Sequence, residues 1–182
     1  EIGNAPTYES RFDNRILMVG RLESQKNFIK IIEILKNSPI EIDIYGEGSQ
    51  KDLLIKKSKE FNVSLNLKGS IENKDLLGVY SQYKLYVSTS LYEGNPKTIL
   101  EAMSKGCLIL SLENKSTSSL LKDGVNSITF TNKQSNVNKI IDGILNNFKD
   151  YHQIAINGYE NILENNSIEN IAKKEIELLN KI

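Results

Sequence analysis

Cysteine, histidine and tryptophan are almost missing from this chain: there is one cysteine, Cys107, one histidine, His152, and no tryptophan in 182 residues. A single cysteine excludes an internal disulfide framework and any multi-thiolate zinc site, and it makes an intracellular, reducing compartment the expectation. Neither sign of charge is in excess, with 23 basic against 23 acidic side chains, which argues against a nucleic-acid-binding domain with its basic stripe. No apolar run approaches the ~18 residues of a membrane-spanning helix. The chain starts at Glu1 without an initiator methionine, so it is expected to be part of a longer protein. The phosphate-binding fingerprints G-x-G-x-x-G and G-x-x-x-x-G-K-[ST] do not occur, which argues against redox dinucleotides and ordinary ATPases. Three Asn-x-Ser triplets (Asn62, Asn114, Asn165) mean little without a leader peptide. Arginine is also scarce: Arg11, Arg15 and Arg21 stand against 20 lysines.

What the chain does have is alternation. After a polar lead-in over residues 1–15, short apolar runs read as buried strands: Ile16 to Gly20, Glu41 to Tyr45, Leu65 to Lys68 with Gly69, Lys84 to Ser88, Cys107 to Ser111 and Ser127 to Phe130. Helical patterns lie between them. Phe28, Ile31, Ile32 and Leu35 fall at i, i+3, i+4, i+7, ahead of Pro39. Further helices are expected over Lys51 to Phe61, Asp75 to Tyr83 and Pro96 to Lys105. Strict alternation of strand and helix requires right-handed crossovers, hence a parallel six-stranded sheet of Rossmann-like α/β type with helices on both faces. From Asn136 the pattern turns wholly helical, with one stripe at Val137, Ile140, Ile141, Ile144, Leu145 and Phe148 and another at Ile168, Ile171, Ala172, Ile176 and Leu179. The chain thus reads as one domain over residues 16–182.

Parallel sheets bind ligands beyond the carboxyl ends of their strands, which directs attention to Gly20-Arg21, Gly46-Glu47-Gly48, Gly69-Ser70, Ser88 to Glu93, and Ser111. Arg21 and Lys26 put two cations on a loop at a helix start, a suitable seat for a diphosphate. A solvated surface pair is the alternative. In a lysine-rich chain an arginine at a strand end supplies a planar fork of donors. The second constellation is Glu93-Gly94-Asn95-Pro96 with Glu101. Pro96 suits the first helical position, leaving Gly94 and Asn95 at the helix mouth. Glu93 and Glu101 can then face the crevice and accept bonds from vicinal hydroxyls, or else stabilise the helix dipole and lie exposed. Gly46-x-Gly48 implies a tight turn with close backbone approach. Cys107, Tyr80, Tyr83 and Tyr86 read as core, and His152 as a surface helix residue.

Taken together, Gly20-Arg21-Leu22 with Lys26, Tyr45-Gly46-Glu47-Gly48, and Glu93-Gly94-Asn95-Pro96 with Glu101-Ala102-Met103 resemble the donor-binding half of the family 4 retaining glycosyltransferases, enzymes of the GT-B fold. The resemblance spans roughly residues 15 to 182. It implies that Arg21 and Lys26 neutralise the leaving diphosphate of a nucleotide sugar of UDP or GDP type and that Glu93 contacts the transferred sugar, with Gly94, Asn95 and Pro96 beside it. It implies further that Glu101 holds the ribose, that Gly69, Ser70 and Ile71 lie against the base, and that Gly20, Gly46 and Gly48 line the donor site. No cofactor and no metal are implied. Asn27 departs from the glycine that many members have after the lysine, and asparagine tolerates the same backbone angles. The amino-terminal acceptor-binding domain, which usually supplies a histidine, is not in this chain.

The resulting expectation is the donor-binding domain of a retaining glycosyltransferase acting on a bacterial glycan or glycolipid. The isolated domain should be inactive. A cytoplasmic location is expected, with membrane docking at the inner face a property of the full-length enzyme only. Two other readings stand beside it: a domain of another GT-B enzyme, such as a nucleotide-sugar epimerase or sugar phosphorylase, and a non-catalytic scaffold domain.

Overall fold

Strand β1 (Phe12–Val19) occupies the centre of a sheet in which all pairings are parallel and the order is β3-β2-β1-β4-β5-β6. The structure is a computed structural model and describes residues 6–166. The other strands are β2 (Glu41–Tyr45), β3 (Leu65–Gly69), β4 (Tyr83–Ser88), β5 (Leu108–Leu112) and β6 (Ile128–Phe130). The helices are α1 (Phe28–Ile34), α2 (Lys51–Glu60), α3 (Asn73–Tyr80), α4 (Lys97–Ser104), α5 (Val137–Asn146) and α6 (His152–Asn166). Strand order runs one way from β1 to β3 and the other way from β4 to β6. In sheets of this kind the crevice for ligands is expected at that switch point, at the ends of β1 and β4.

The strands are apolar on both faces because both are covered. Ile16, Met18, Ile42, Ile44, Leu85 and Val87 alternate onto one face and pack under Ile31 and Ile32 of α1, Leu54 of α2, and Ile141 and Ile144 of α5. Leu17, Val19, Tyr86 and Ile109 face the other way, against Val79 of α3, Ile99 and Met103 of α4, and Ile162 of α6. This is the two-faced α/β arrangement that the alternating pattern predicts. Tyr80, Tyr83, Tyr86 and Cys107 are all buried, as expected.

A charge on β2 interrupts this core. Asp43, in the middle of β2, is 1% exposed, and a buried carboxylate is tolerated only when its oxygens are satisfied. Asn66 Nδ2 donates to it at 2.7 Å, Tyr83 Oη at 2.5 Å and Arg15 Nη1 at 3.4 Å. Burial, followed by the neighbouring Asp43 carboxylate, pushes the Tyr83 phenol well above its ordinary range.

Several boundaries differ from the sequence reading. β1 begins at Phe12, four residues before the apolar run, and the expected polar lead-in is partly built into the domain. Arg11 is buried and donates to the carbonyls of Thr7, Tyr83 and Lys105 at 2.7, 3.0 and 2.8 Å. Tyr8 Oη donates to Gly106 O at 2.8 Å. Helix α3 starts earlier and ends at Tyr80, because Tyr83 already pairs with Phe12 in the sheet. The stripe ending at Phe148 is split, since α5 stops at Asn146 and Phe148 starts a short 3-10 turn. The apolar stripe expected over 168–179 lies outside the described residues.

Candidate functional site

The crevice rim is built first from glycines. A Cβ on Gly46 would lie 1.9 Å from the carbonyl oxygen of Gly20, and one on Gly48 would lie 2.6 Å from that of Leu22. The loop after β2 thus lies backbone to backbone on the loop after β1. Hydrogen bonds fasten the two: Gly20 N to Tyr45 O at 3.0 Å, Leu22 N to Glu47 O at 2.9 Å and Gln50 N to Leu22 O at 2.9 Å. Gly46 and Gly48, expected at the donor site, serve the packing of these two loops, which form the floor of the crevice. The close backbone approach expected of Gly46-x-Gly48 is present, and its partner is the chain itself.

On that floor Arg21 is exposed; its carbonyl accepts from Glu23 N at 2.8 Å, and its guanidinium makes no hydrogen bond or ion pair among the described residues. Beyond it, Ser49 amide and hydroxyl bonds hold the Glu23 carboxyl below its usual range, and Arg21 adds to the effect. The chain then makes a 3-10 turn, Ser24–Lys26, and reaches α1 through Asn27 at φ 52°, ψ 40°. Lys26 therefore ends a turn one residue ahead of α1, where the sequence reading put it at the helix start. Asn27 takes the left-handed conformation in which asparagine is tolerated.

Lys26 folds back over Gly20 and across the crevice. Its stem passes 3.0 Å from where a Cβ on Gly20 would sit, so glycine there leaves the lysine its path. Lys26 Nζ reaches Glu93 Oε1 at 2.7 Å, with side-chain exposures of 17% and 6%. Two residues assigned separate tasks by sequence are thus one ion pair bridging the loops after β1 and β4. One ammonium N–H is used by Glu93, leaving two, and Glu93 Oε2 carries no hydrogen bond among the described residues.

Beside this pair is the mouth of α4. Gly94 and Asn95 are exposed, and Pro96 caps the helix one residue before its expected place. A Cβ on Gly94 would meet nothing within 4 Å, so packing gives no reason for glycine there. Glu101 sits on the flank of α4. It accepts from Tyr80 Oη at 3.2 Å and pairs with Lys97 at 3.5 Å. No hydrogen bond or ion pair joins it to Arg21, Lys26 or Glu93 among the described residues. Burial, then Tyr86 and Glu101, pushes the Tyr80 phenol far above its ordinary range. Gly69 ends β3 and accepts from Gly46 N at 2.7 Å, Ser70 is exposed, and Ile71 is half-buried against the α3–α4 core.

Four residues to which the sequence assigned no role at the site hold these groups in place. Thr89 Oγ1 donates to Lys26 O at 2.9 Å, and Gln25 Nε2 donates to Tyr92 O at 3.0 Å. Ser116 Oγ accepts from Glu93 N at 2.8 Å and donates to Asn114 Oδ1 at 2.6 Å. Asn114 and Ser116 stand out in the sequence only as an Asn-x-Ser triplet and Thr89 only as part of the strand end Ser88 to Glu93; neither pattern signals these contacts, and Gln25 carries no signal. Ser111, expected at a strand end, is inside β5 and fully buried. A groove of about 630 Å³ lies beyond β5 and β6, with Asn114 and Thr117 in its wall. His152 is exposed, its ring centroid 5.0 Å from that of Tyr8 in a T-shaped contact near the start of β1 and remote from the crevice. Among the described residues no group of three or more His, Cys, Asp or Glu could hold a metal, and no helix is long and apolar enough to cross a membrane.

The chain as a whole is similar to known proteins. A model of the family described as Glycosyl transferases group 1 matches residues 9–161. The poly(ribitol-phosphate) alpha-N-acetylglucosaminyltransferase of Staphylococcus aureus is 30% identical over an alignment covering 99% of this chain and 38% of its own length. The poly(glycerol-phosphate) alpha-glucosyltransferase of Bacillus subtilis is 28% identical, covering 75% of this chain and 21% of its own length. The crystal structure of TarM superposes with a TM-score of 0.83 at 28% identity, over 99% of this chain and 37% of that one. Anabaena HepE in complex with UDP-glucose gives a TM-score of 0.81 at 19% identity, over 93% of this chain and 49% of that one, a likeness of fold. The chain spans less than half the length of these relatives.

Proposed function

Since this chain belongs to the glycosyl transferases group 1 family, we propose that it is the nucleotide-sugar-binding half of a retaining glycosyltransferase. The whole enzyme would move a hexose-type sugar from a UDP-sugar to a glycan or glycolipid acceptor. The observation that carries this reading is the Lys26–Glu93 pair at the switch point, with exposed Arg21 beside it and open space at Gly94. The relatives support the donor type: HepE is solved with UDP-glucose, and a TarM variant with UDP.

Breaking the bond between the anomeric carbon and the diphosphate builds positive charge on the sugar and negative charge on the leaving group. Cations placed in advance where that negative charge appears lower the barrier. Arg21 offers a free guanidinium, and Lys26 offers the two N–H bonds that Glu93 does not use. Glu93 Oε2 is available to accept from sugar hydroxyls, holding the ring while the bond breaks. Glu101, engaged with Tyr80 and Lys97, would reach a ribose hydroxyl from the flank of α4. Gly69, Ser70 and Ile71 border the end of the crevice where the base would lie. The reading needs no cofactor beyond the donor. The acceptor-binding half would come from outside this chain, and the enzyme would work in the cytoplasm or at the inner face of the membrane.

The test is a thermal-shift or calorimetric titration with UDP, GDP and ADP. Ligand at ~100 times its dissociation constant should add about 2.7 kcal/mol of stability. UDP is expected to stabilise the chain, and no shift with any of the three overturns the donor-site assignment.

A further inference from the structure

We propose that Asn114 and Ser116, on the loop after β5, are positioning residues that set the backbone of Glu93 for sugar recognition. The proposal rests on the reading of Glu93 as the residue that meets the transferred sugar. Lys26 holds only the end of the Glu93 side chain, and a lysine reaches its partner on a flexible four-carbon stem. Such a contact leaves the backbone beneath it free to move. The Glu93 amide has one partner among the described residues, Ser116 Oγ at 2.8 Å.

The polarity of this contact is determined by what lies behind it. Asn114 must turn Oδ1 toward Thr117 N, at 3.1 Å, and Nδ2 toward the carbonyls of Ser90 and Leu112, at 3.2 and 3.4 Å. The reverse orientation would set donor against donor and acceptor against acceptor. With Oδ1 so placed, the Ser116 hydroxyl at 2.6 Å must donate to it. The hydroxyl proton is committed, and a lone pair is left for the Glu93 amide. Asn114 also ties its own loop to the β4 loop at Ser90, and the adjoining Thr117 is 2% exposed. The relay therefore stands on buried structure although Ser116 itself is exposed. Glu93 is held from two sides, by Lys26 at its carboxylate and by Ser116 at its amide.

The experiment measures the affinity of the 182-residue chain for UDP, UDP-glucose and UDP-N-acetylglucosamine by calorimetry. The variants are Ser116→Ala, Ser116→Thr, Asn114→Ala and Glu93→Ala, together with the pair Ser116→Ala/Glu93→Ala. Ser116→Ala and Asn114→Ala are expected to weaken the better-bound UDP-sugar by about 2- to 10-fold, the range of one net hydrogen bond, with UDP affinity unchanged. Ser116→Thr, which keeps the hydroxyl, is expected to restore it, and Ser116→Ala should have no effect once Glu93 is alanine. If Ser116→Ala weakens UDP and UDP-sugar equally, or adds in full to Glu93→Ala, the proposal is overturned while the donor reading stands. A wild-type chain that binds none of the three ligands overturns the donor reading and the proposal with it.

Discussion

Lys26 Nζ lies 2.7 Å from Glu93 Oε1, and the pair closes the point at which the strand order of the sheet reverses. It brings into one contact the cation expected to meet a diphosphate and the carboxylate expected to meet a sugar. The contact also changes the local charge balance: Glu93 offsets Lys26, and the positive excess at the crevice falls to Arg21.

The pair should be coupled in stability. Lys26→Ala leaves Glu93 mostly buried and unpaired, which is expected to cost about 2–3 kcal/mol, below the range for fully buried pairs because Lys26 is partly solvated. Glu93→Gln is expected to cost less, and Lys26→Ala/Glu93→Gln less than the sum of the single changes. Urea denaturation of the four proteins measures the coupling, and simple additivity would show that the pair contributes nothing.

The same arrangement orders the effects on nucleotide binding. Arg21→Ala is expected to weaken UDP about 10-fold or more, as loss of a charged hydrogen bond does. Lys26→Ala should weaken it further, because Glu93 is left uncompensated beside the diphosphate. Glu93→Gln, which frees Lys26, should strengthen UDP by about threefold, and Glu101→Ala should have the smallest effect. Titration calorimetry reads all four, and a Glu93→Gln variant that loses UDP affinity would contradict the charge argument.

Two glycines should respond in opposite directions. Gly46→Ala drives a Cβ to within 1.9 Å of Gly20 O at φ +149°, and a loss of about 3 kcal/mol or more is expected. Gly78, on the exposed side of α3, has nothing within 4 Å of a would-be Cβ. Gly78→Ala should gain about 0.5–1 kcal/mol from helix propensity. Melting temperatures of the two variants test the contrast.

Alkaline pH should unfold the protein. Burial pushes the Tyr8 phenol and the Cys107 thiol up to about 12 each, and Tyr80, Tyr83 and Tyr86 move in the same direction. In the unfolded chain these groups ionise near their ordinary values, about 8.5 for cysteine and 10 for tyrosine. The fold favours their neutral forms, so this contribution is whole below about pH 8.5 and declines as pH rises toward about 12. Urea midpoints from pH 7 to 11 should be level at first and then fall. Cys107 should resist thiol reagents until the chain unfolds.

The architecture was legible because it is written locally. The runs at Leu17 and Ile44, and the helical spacing from Phe28 to Leu35, show their period within a few residues, and strict alternation leaves few topologies. Boundaries were less legible where long-range packing sets them. Tyr8 and Arg11 read as polar lead-in because their partners, Gly106 O and Tyr83 O, come from other strands and loops.

Residue order alone therefore settled the alternating parallel fold, the glycine turns and the chemical types gathered at the strand ends. Tertiary packing settled which of those groups touch. Lys26 and Glu93 stand 67 residues apart, and only the parallel pairing of β1 beside β4 makes them neighbours. Glu101 lies eight residues beyond Glu93, yet the rotation of α4 turns it toward Tyr80. A periodic pattern reports which face of an element is buried, whereas a hydrogen bond between two loops depends on where the whole sheet carries their ends.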